Sequence, residues 1–406
     1  MFTRTFPSIK TKTLAVKLTA LGERIVRSGH PWIFSDSIEK INKEGNAGDV
    51  VVIFSHSKNK PIGVGLYDPD SLIRIKMVHN EGGAKLNSDF FFDKISKAYA
   101  LRTELFETKT DGYRLLFGEN DGFPGFIADV YADVLVVKLY SAIWYPYLEE
   151  ILNQLIALTD CTTVILRLSR KLQVASLHNF IDGDVLYGTL KNETIKFVEH
   201  GVTFSANVIK GHKTGYFLDH RENRKRVGEL SKGKTVLDVF SYAGGFSIHA
   251  LANNAKEVTS VDISQQALEL ASKNAKLNKT TGTHHTICGD AFVILKQLIS
   301  EGKKYNVVVI DPPSFAKSQK EVAMAIKKYA QLAQLGAALT AHGGMLVLAS
   351  CSSRVLPEDF YEIVENALKY QSRKFTNLLK TGHDVDHPVT FPEGGYLKCG
   401  YYKILD

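Results

Sequence analysis

A chain of 406 residues, 44% hydrophobic and 23% charged, is long enough for two or three domains, each burying its own core. No apolar run reaches the roughly 18 residues of a membrane span, and the opening MFTRTFPSIKTKT lacks the apolar stretch of a secretory signal, so a cytoplasmic protein without a membrane partner is expected. The formal net charge of +7 fits a polyanionic partner, while the four cysteines, Cys161, Cys288, Cys351 and Cys399, form no C-x-x-C pair and predict neither a metal site nor a disulfide framework.

Residues 1–80 read as a β-rich module. Val50–Phe54 and Leu72–Val78 are strand-like, and Gly/Asn/Asp clusters at Gly45–Asp49 and Ser57–Pro61 separate the runs. Lys10, Lys12, Lys17, Arg24, Arg27 and His30 crowd the start of the chain beside Pro31-Trp32-Ile33-Phe34. Basic groups next to aromatics hold phosphates and stack bases, which makes Arg24, Arg27, His30 and Trp32 candidate RNA contacts. The alternative puts Trp32 and Phe34 in the core and the charges on a solvated face.

Residues 81–195 read as a small α+β middle domain, a spacer and docking surface. Asp89–Lys109 has helical spacing with Phe92, Ile95, Tyr99 and Leu105 on its apolar side. Tyr113–Phe117, Phe126–Val130, Val134–Leu139 and Thr163–Leu168 read as strands, and Leu148–Leu158 as a helix. In GENDGFPG, Glu119 and Asp121 read as turn-formers rather than catalysts.

Residues 196–406 form the third expected domain. GHKTGYFLDHRENRKRV sets Lys213, Arg221, Arg224, Lys225 and Arg226 around Tyr216 and Phe217. His212 to Arg221 reads as a substrate or cofactor loop, with Lys213 a candidate RNA contact and Asp219 and Arg221 candidate cofactor contacts. Arg224 to Arg226 read as a solvated helix face. From Thr235 onward strands (235–240, 257–262, 285–289, 305–310, 344–350) alternate with helices (245–254, 264–277, 291–300, 320–340, 357–370), as in a doubly wound sheet. Tyr396–Ile404 reads as a late strand, with Lys374–Leu379 a candidate partner.

The third domain is organised around TVLDVFSYAGGFSI. A buried strand carrying Asp238 runs into the turn Ser241-Tyr242-Ala243-Gly244-Gly245 and then a helix, whose free N–H groups face polar ligand atoms. A second strand ends in Asp262, 24 residues after Asp238, where an acid bonds a ribose hydroxyl in nucleotide-binding βαβ units. The G-x-G-x-x-G pattern of dinucleotide sites is absent, so the pair of acids suits an adenosine without a pyrophosphate, and S-adenosylmethionine (SAM) is the expected cofactor. The remaining strands lead to Asp290, Asp311 and Cys351, a row of polar groups at the carboxyl ends that packing does not require.

Strand four runs into Asp311-Pro312-Pro313-Ser314-Phe315, where the prolines stiffen the loop and Phe315 is placed to stack on a base. This loop resembles motif IV of class I methyltransferases acting on nucleic-acid bases. Strand five ends in Ala349-Ser350-Cys351-Ser352-Ser353. A thiolate adding to C6 of a pyrimidine activates C5 toward methyl transfer, and a base then removes the C5 proton. Cys161, Cys288 and Cys399, in apolar runs, read as small buried hydrophobes.

RSGHPWIFS, GENDGFPG, GHKTGYFLDHRENR, LDVFSYAGGFSIHA, VDISQQALELASKN, IDPPSFAKS, ASCSS and DHPVTFPEGGYLK together resemble the PUA-domain-bearing class I 23S rRNA cytosine-C5 methyltransferases, the RlmI-type family, over nearly the whole chain. The resemblance implies a PUA-like domain, an α+β middle domain and a Rossmann-like methyltransferase domain with a mostly parallel seven-stranded sheet. It implies ribosomal RNA as partner, Cys351 as nucleophile, Ser241 to Gly245 as the glycine-turn motif, Asp262 as the ribose acid, Asp290 beside adenine, and Asp311 to Pro313 as motif IV. Some cytosine enzymes of another branch carry a second cysteine in motif IV; Pro313-Ser314 stands here instead, so Glu393 and Asp311 are both candidates for removing the C5 proton. A homodimer is one expected assembly. The competing readings are a methyltransferase for guanine or uracil and a non-catalytic RNA-binding assembly factor.

Overall fold

Alternation sets the architecture of the first 80 residues. In a computed structural model describing residues 1–406, the strands Thr13–Leu18, Trp32–Phe34, Ile38–Ile41, Val50–Phe54, Pro61–Tyr67 and Ile73–His79 form one six-stranded sheet. Leu14, Val16 and Leu18 alternate inward beside Val51 and Ile53, the period of two that buries one face of a sheet. Only Thr13–Leu18 against Val50–Phe54 is a parallel pair; the other pairings are antiparallel. Thr19 caps the short helix Ala20–Arg27, accepting from Gly22 N.

A five-stranded sheet follows, built from Gly112–Phe117, Phe126–Tyr131, Val134–Leu139, Thr163–Leu168 and Val185–Tyr187. The helix Ser88–Ala100 packs on it through Phe91, Ile95 and Ala98, while Phe92 is 56% exposed. The expected apolar stripe through Phe92 is thus corrected by one residue: Phe91 continues the i, i+4, i+7 row of Ile95 and Ala98. Val64, Leu66 and Val78 of the first sheet join the cluster of Phe91, Leu115, Phe123 and Trp144, so the two sheets share a core. Asp121 closes its expected turn and also forms a buried pair with Arg102 at 2.6 Å.

The chain divides into two units: Met1–Val198 with Ser205–Leu218 and Val385–Gly394, and Glu199–Phe204 with Asp219–Asp384 and Gly395–Asp406. The second unit holds a seven-stranded sheet, whose strands we number β1 (Thr235–Val239), β2 (Glu257–Asp262), β3 (Thr283–Cys288), β4 (Tyr305–Ile310), β5 (Thr340–Ser350), β6 (Phe375–Thr381) and β7 (Lys398–Ile404). Their order is β3-β2-β1-β4-β5-β7-β6; β1 to β5 are parallel, and β7 is antiparallel to both neighbours. Helices Gly245–Ala252, Gln265–Lys276, Ala291–Ser300, Val322–Leu339 and Pro357–Tyr370 fall where the apolar periodicity predicts them. The strand order reverses between β1 and β4, which opens a ligand crevice at their carboxyl ends.

Three expectations change in this unit. β3 stops at Cys288, so Asp290 ends no strand; it is the N-cap of Ala291–Ser300, accepting from Val293 N at 3.2 Å. Cys288 is exposed on this edge strand, whereas Cys161 and Cys399 are buried as expected. Arg224 is 4% exposed rather than solvated: its guanidinium grips Glu199 through two 2.7 Å hydrogen bonds.

Candidate active site at the carboxyl edge of the seven-stranded sheet

The turn after β1 is held in an uncommon backbone conformation. Phe240, Tyr242 and Gly244 have φ of 63°, 47° and 80°, and a Cβ on Gly244 would meet that of Ala271 at 2.9 Å, so this position requires glycine. Asp238 braces the turn from beneath: its Oδ2 accepts from Ser247 N at 3.0 Å and from Ser247 Oγ at 2.7 Å. Burial pushes its carboxyl up to about 7 against the Ser247 hydrogen bonds. Asp238 Oδ1 and the buried Ser241 Oγ have no protein partner, and Ala243 O accepts from Asn274 Nδ2 at 3.0 Å.

Asp262, at the end of β2, takes Tyr242 N on one carboxylate oxygen and Ser264 N on the other, both at 2.9 Å, and remains partly open to solvent. Each oxygen keeps a lone pair for a ligand hydroxyl. Asp290 is exposed at its helix cap. Asp219 Oδ2 accepts from Tyr396 OH at 2.8 Å. Arg221 is fully buried and its Nη2 donates to Asp384 at 2.6 Å, so its charge is spent inside the protein.

At the end of β4, Asp311 Oδ1 lies 3.3 Å from Nε2 of the buried His220. Burial works against charge on this imidazole, but Asp311 outweighs it and holds the His220 pKa above its ordinary value. The other ring nitrogen meets Asn223 Nδ2 at 3.2 Å, and Asn223 Oδ1 accepts from Thr381 Oγ1 at 2.7 Å and Tyr401 OH at 2.9 Å. With its oxygen engaged by two hydroxyls, Asn223 donates to His220 Nδ1, which leaves the Nε2 proton to face Asp311. Pro312 is buried and Pro313 exposed. Phe315 packs on Tyr329 at 5.2 Å with Lys328 4.8 Å from its ring centroid, so much of its ring is already engaged.

Cys351 stands one residue beyond β5, partly exposed, its Sγ donating to Pro312 O at 3.8 Å. Burial, then Asp311 and Asp219, push its thiol up to about 12, with Lys398 acting in the opposite sense. Asp219, Asp238, Ser241, Asp262, Asp311 and Cys351 thus all belong to the second unit. Of the other expected residues, Arg24, Arg27, His30, Trp32, Lys213 and Glu393 lie in the first unit. Glu393 is 3.2 Å from His30, Trp32 donates to Glu119 at 3.0 Å, Arg27 pairs with Glu23 at 2.6 Å, and Arg24 and Lys213 are exposed.

Comparison with known proteins decides the family. The model of S-adenosylmethionine-dependent methyltransferases matches residues 114–396, and that of PUA-like domains matches residues 16–80. The chain belongs to the SAM-dependent methyltransferase family. This methyltransferase is 40% identical over 405 residues, 98% of its own length and 99% of the relative's, to a Deinococcus radiodurans protein named ribosomal RNA large subunit methyltransferase. It is 33% identical, covering 95% and 98% of the two chains, to ribosomal RNA large subunit methyltransferase I of Aliivibrio fischeri. A SAM-dependent methyltransferase from Streptococcus mutans shares the fold with a TM-score of 0.79 at 22% identity over 96% of this chain and 99% of that one. A methyltransferase solved with SAH superposes with a TM-score of 0.80 at 22% identity, covering 97% and 100%.

The expected PUA-like module, Rossmann-like domain and SAM cofactor are therefore borne out. The methyltransferase's own residues fit that cofactor. The turn carries two buried polar atoms without protein partners, Asp238 Oδ1 and Ser241 Oγ, which a bound polar group would satisfy. Reading residues alone missed His220, Asn223, Ser247 and Lys398. His220 lay within the flagged loop; Asn223, Ser247 and Lys398 lie in segments of the family resemblance that give them no role, and only the topology brings them to the site.

Proposed function

We propose that this methyltransferase modifies C5 of a cytosine in large-subunit ribosomal RNA through a covalent adduct with Cys351. The relatives' names support the RNA class. The observation that carries the atom-level reading is Cys351 itself, one residue past β5 with its Sγ 3.8 Å from Pro312 O of the Asp311-Pro312-Pro313 loop. Bound SAM supplies an electrophilic methyl group. Asp262 holds the ribose hydroxyls, Ser241 and the turn amides take the polar end, and Asp290 lies toward adenine.

The protein's part in the reaction is nucleophile, base and orientation. Cys351 gives up its proton to solvent and its sulfur bonds C6, so the C5=C6 electron pair is released toward C5, which takes the methyl group as its bond to the cofactor sulfur breaks and the demethylated cofactor leaves. A base then removes the C5 proton, the electrons restore the double bond, and the C6–S bond breaks to return the thiolate. Asp311 is the proposed base, with the buried His220 imidazole 3.3 Å from its carboxylate. The cytosine has to leave its stack to reach this edge of the sheet. Exposed basic groups of the PUA-like module, Arg24 among them, supply phosphate contacts.

RNA carrying 5-fluorocytosine at the target tests the reading. Fluorine at C5 cannot leave as a proton does, so the wild-type enzyme stays attached after methyl transfer, and the adduct appears as a protein–RNA band that survives denaturation. Cys351→Ala is expected to lose methyl transfer and the adduct while binding SAM as before. Full methylation by Cys351→Ala would refute the covalent route.

A further inference from the structure

Lys398 opens β7 and is 2% exposed. It pairs across the sheet with Ser350, the residue before Cys351. Its Nζ donates to three backbone carbonyls: that of Ser352, and those of Val355 and Tyr396 at 2.9 Å each. A neutral amine has two hydrogens to give, so three acceptors call for the ammonium. Two of the acceptors, Ser352 and Val355, belong to the loop that carries Cys351 away from β5. The ammonium is thereby fixed to the loop that carries the thiol.

The charges around the thiol give this position a chemical consequence. Asp311 and Asp219 both oppose a thiolate, as does burial, and Tyr329 is a further titratable neighbour; Lys398 is the cation acting on the sulfur. We propose that Lys398 is a positioning residue for Cys351, fixing the loop after β5 and supplying the counter-charge against which the thiolate forms. The proposal rests on the reading of Cys351 as nucleophile. Burial also pushes Lys398 down to about 8, so amine and thiol titrate against each other. A thiolate beside an ammonium and a thiol beside an amine hold the same number of protons. Once the lysine begins to lose its proton, the reactive pair therefore stops gaining population as pH rises.

The rate of Cys351 alkylation by iodoacetamide, followed by peptide mass in the full-length protein between about pH 6.5 and pH 10, reads this directly. In the wild type the rate is expected to climb about tenfold per pH unit and then level as Lys398 titrates. Lys398→Met is expected to be at least about tenfold slower at pH 7 and to climb without levelling, and its methyl transfer to fall about a hundredfold. Lys398→Arg keeps a charge that does not titrate, so its rate at pH 7 stays within about threefold of the wild type while the levelling disappears. A loop merely loosened by the substitution would scale the rate by one factor at every pH and leave the levelling in place. A wild-type profile without levelling overturns the proposal, as does a Lys398→Met profile of unchanged shape. Should Lys398→Met fail to bind SAM in a calorimeter, the wild-type curve and Lys398→Arg decide. Alkylation needs no RNA, so a wrong target base would show in the 5-fluorocytosine experiment and leave this one standing.

Discussion

Two carboxylates some 24 residues apart in sequence do opposite things at the same edge of the sheet. Asp262 is partly exposed and anchored by two backbone N–H groups, so its carboxyl group is oriented before any ligand arrives. As the proposed ribose acid it would contribute charge-assisted hydrogen bonds of about 1.5–3 kcal/mol. Asp262→Ala is therefore expected to weaken SAM roughly ten- to hundredfold by calorimetry; unchanged affinity would remove the assignment. Asp238 is buried, with one oxygen unsatisfied and its carboxyl pushed up to about 7 by that burial. A carboxyl whose folded pKa lies above its unfolded value of about 3.9 favours folding most at low pH, and that benefit is lost as pH rises toward the folded pKa. At pH 8 the wild type thus carries a buried carboxylate that Asp238→Asn would replace with a neutral amide. The variant is expected to melt several degrees higher than the wild type at pH 8, with the gap narrowing steadily as pH falls from about 7 toward about 4. A gap of the same size at pH 8 and at about pH 4 would show that charge is not the cause.

At the scale of elements, the pattern of the second unit was legible because its chemistry is local. Short apolar runs alternating with helical periodicity mark β1 to β5, and the turn after β1 declares itself through Gly244, whose φ of 80° and close approach to Ala271 leave no room for a side chain. The departures come from contacts that no local pattern carries. Arg224 sits in a run of charges that looks solvated, and only its partner Glu199, on a different element, makes it a buried residue. Cys288 ends β3, the largely polar strand THHTIC at the edge of the sheet, so it faces water rather than a core. Phe91 and Phe92 are equally apolar, and the register of the helix against Ile95 and Ala98 chooses between them. Lys398 is a single lysine at the start of a strand, and its three carbonyl partners come from the residues around it in space. The proposed nucleophile and the acids around it were readable as residues; the groups that tune them were not.

At the scale of the whole molecule, the chain runs through the two units in six alternating segments. The short segment Glu199–Phe204 belongs to the second unit, and Glu199 is its anchor, buried against Arg224 and His249. Burial raises the cost of that carboxylate, but Arg224 and His249 more than offset it and hold its pKa well below the ordinary range. Its stabilisation is therefore present at neutral pH and is lost as pH falls into the acid range. Arg224→Met would leave the carboxylate buried without its main counter-charge, a loss of about 3–5 kcal/mol that a denaturant titration at pH 7 would read.

The same weave decides how RNA docking can be tested. Deleting residues 1–80 would strip Val64, Leu66 and Val78 from the core they share with Phe91, Leu115 and Trp144, and losing even one such side chain costs about 2–5 kcal/mol. Substitution on the exposed surface leaves that core intact. Lys10, Lys12 and Arg24 are exposed, whereas Arg27, also exposed, already has Glu23 at 2.6 Å. If the module binds RNA through phosphates, each lost contact should lower the slope of log affinity against log salt by about 0.7–0.9. Replacing Lys10, Lys12 and Arg24 together by alanine is expected to lower that slope by about two to three while SAM affinity stays unchanged, and Arg27→Ala to change it by less than one. Equal slopes for the triple variant and the wild type on a ribosomal RNA fragment would move the RNA-binding surface away from this end of the chain.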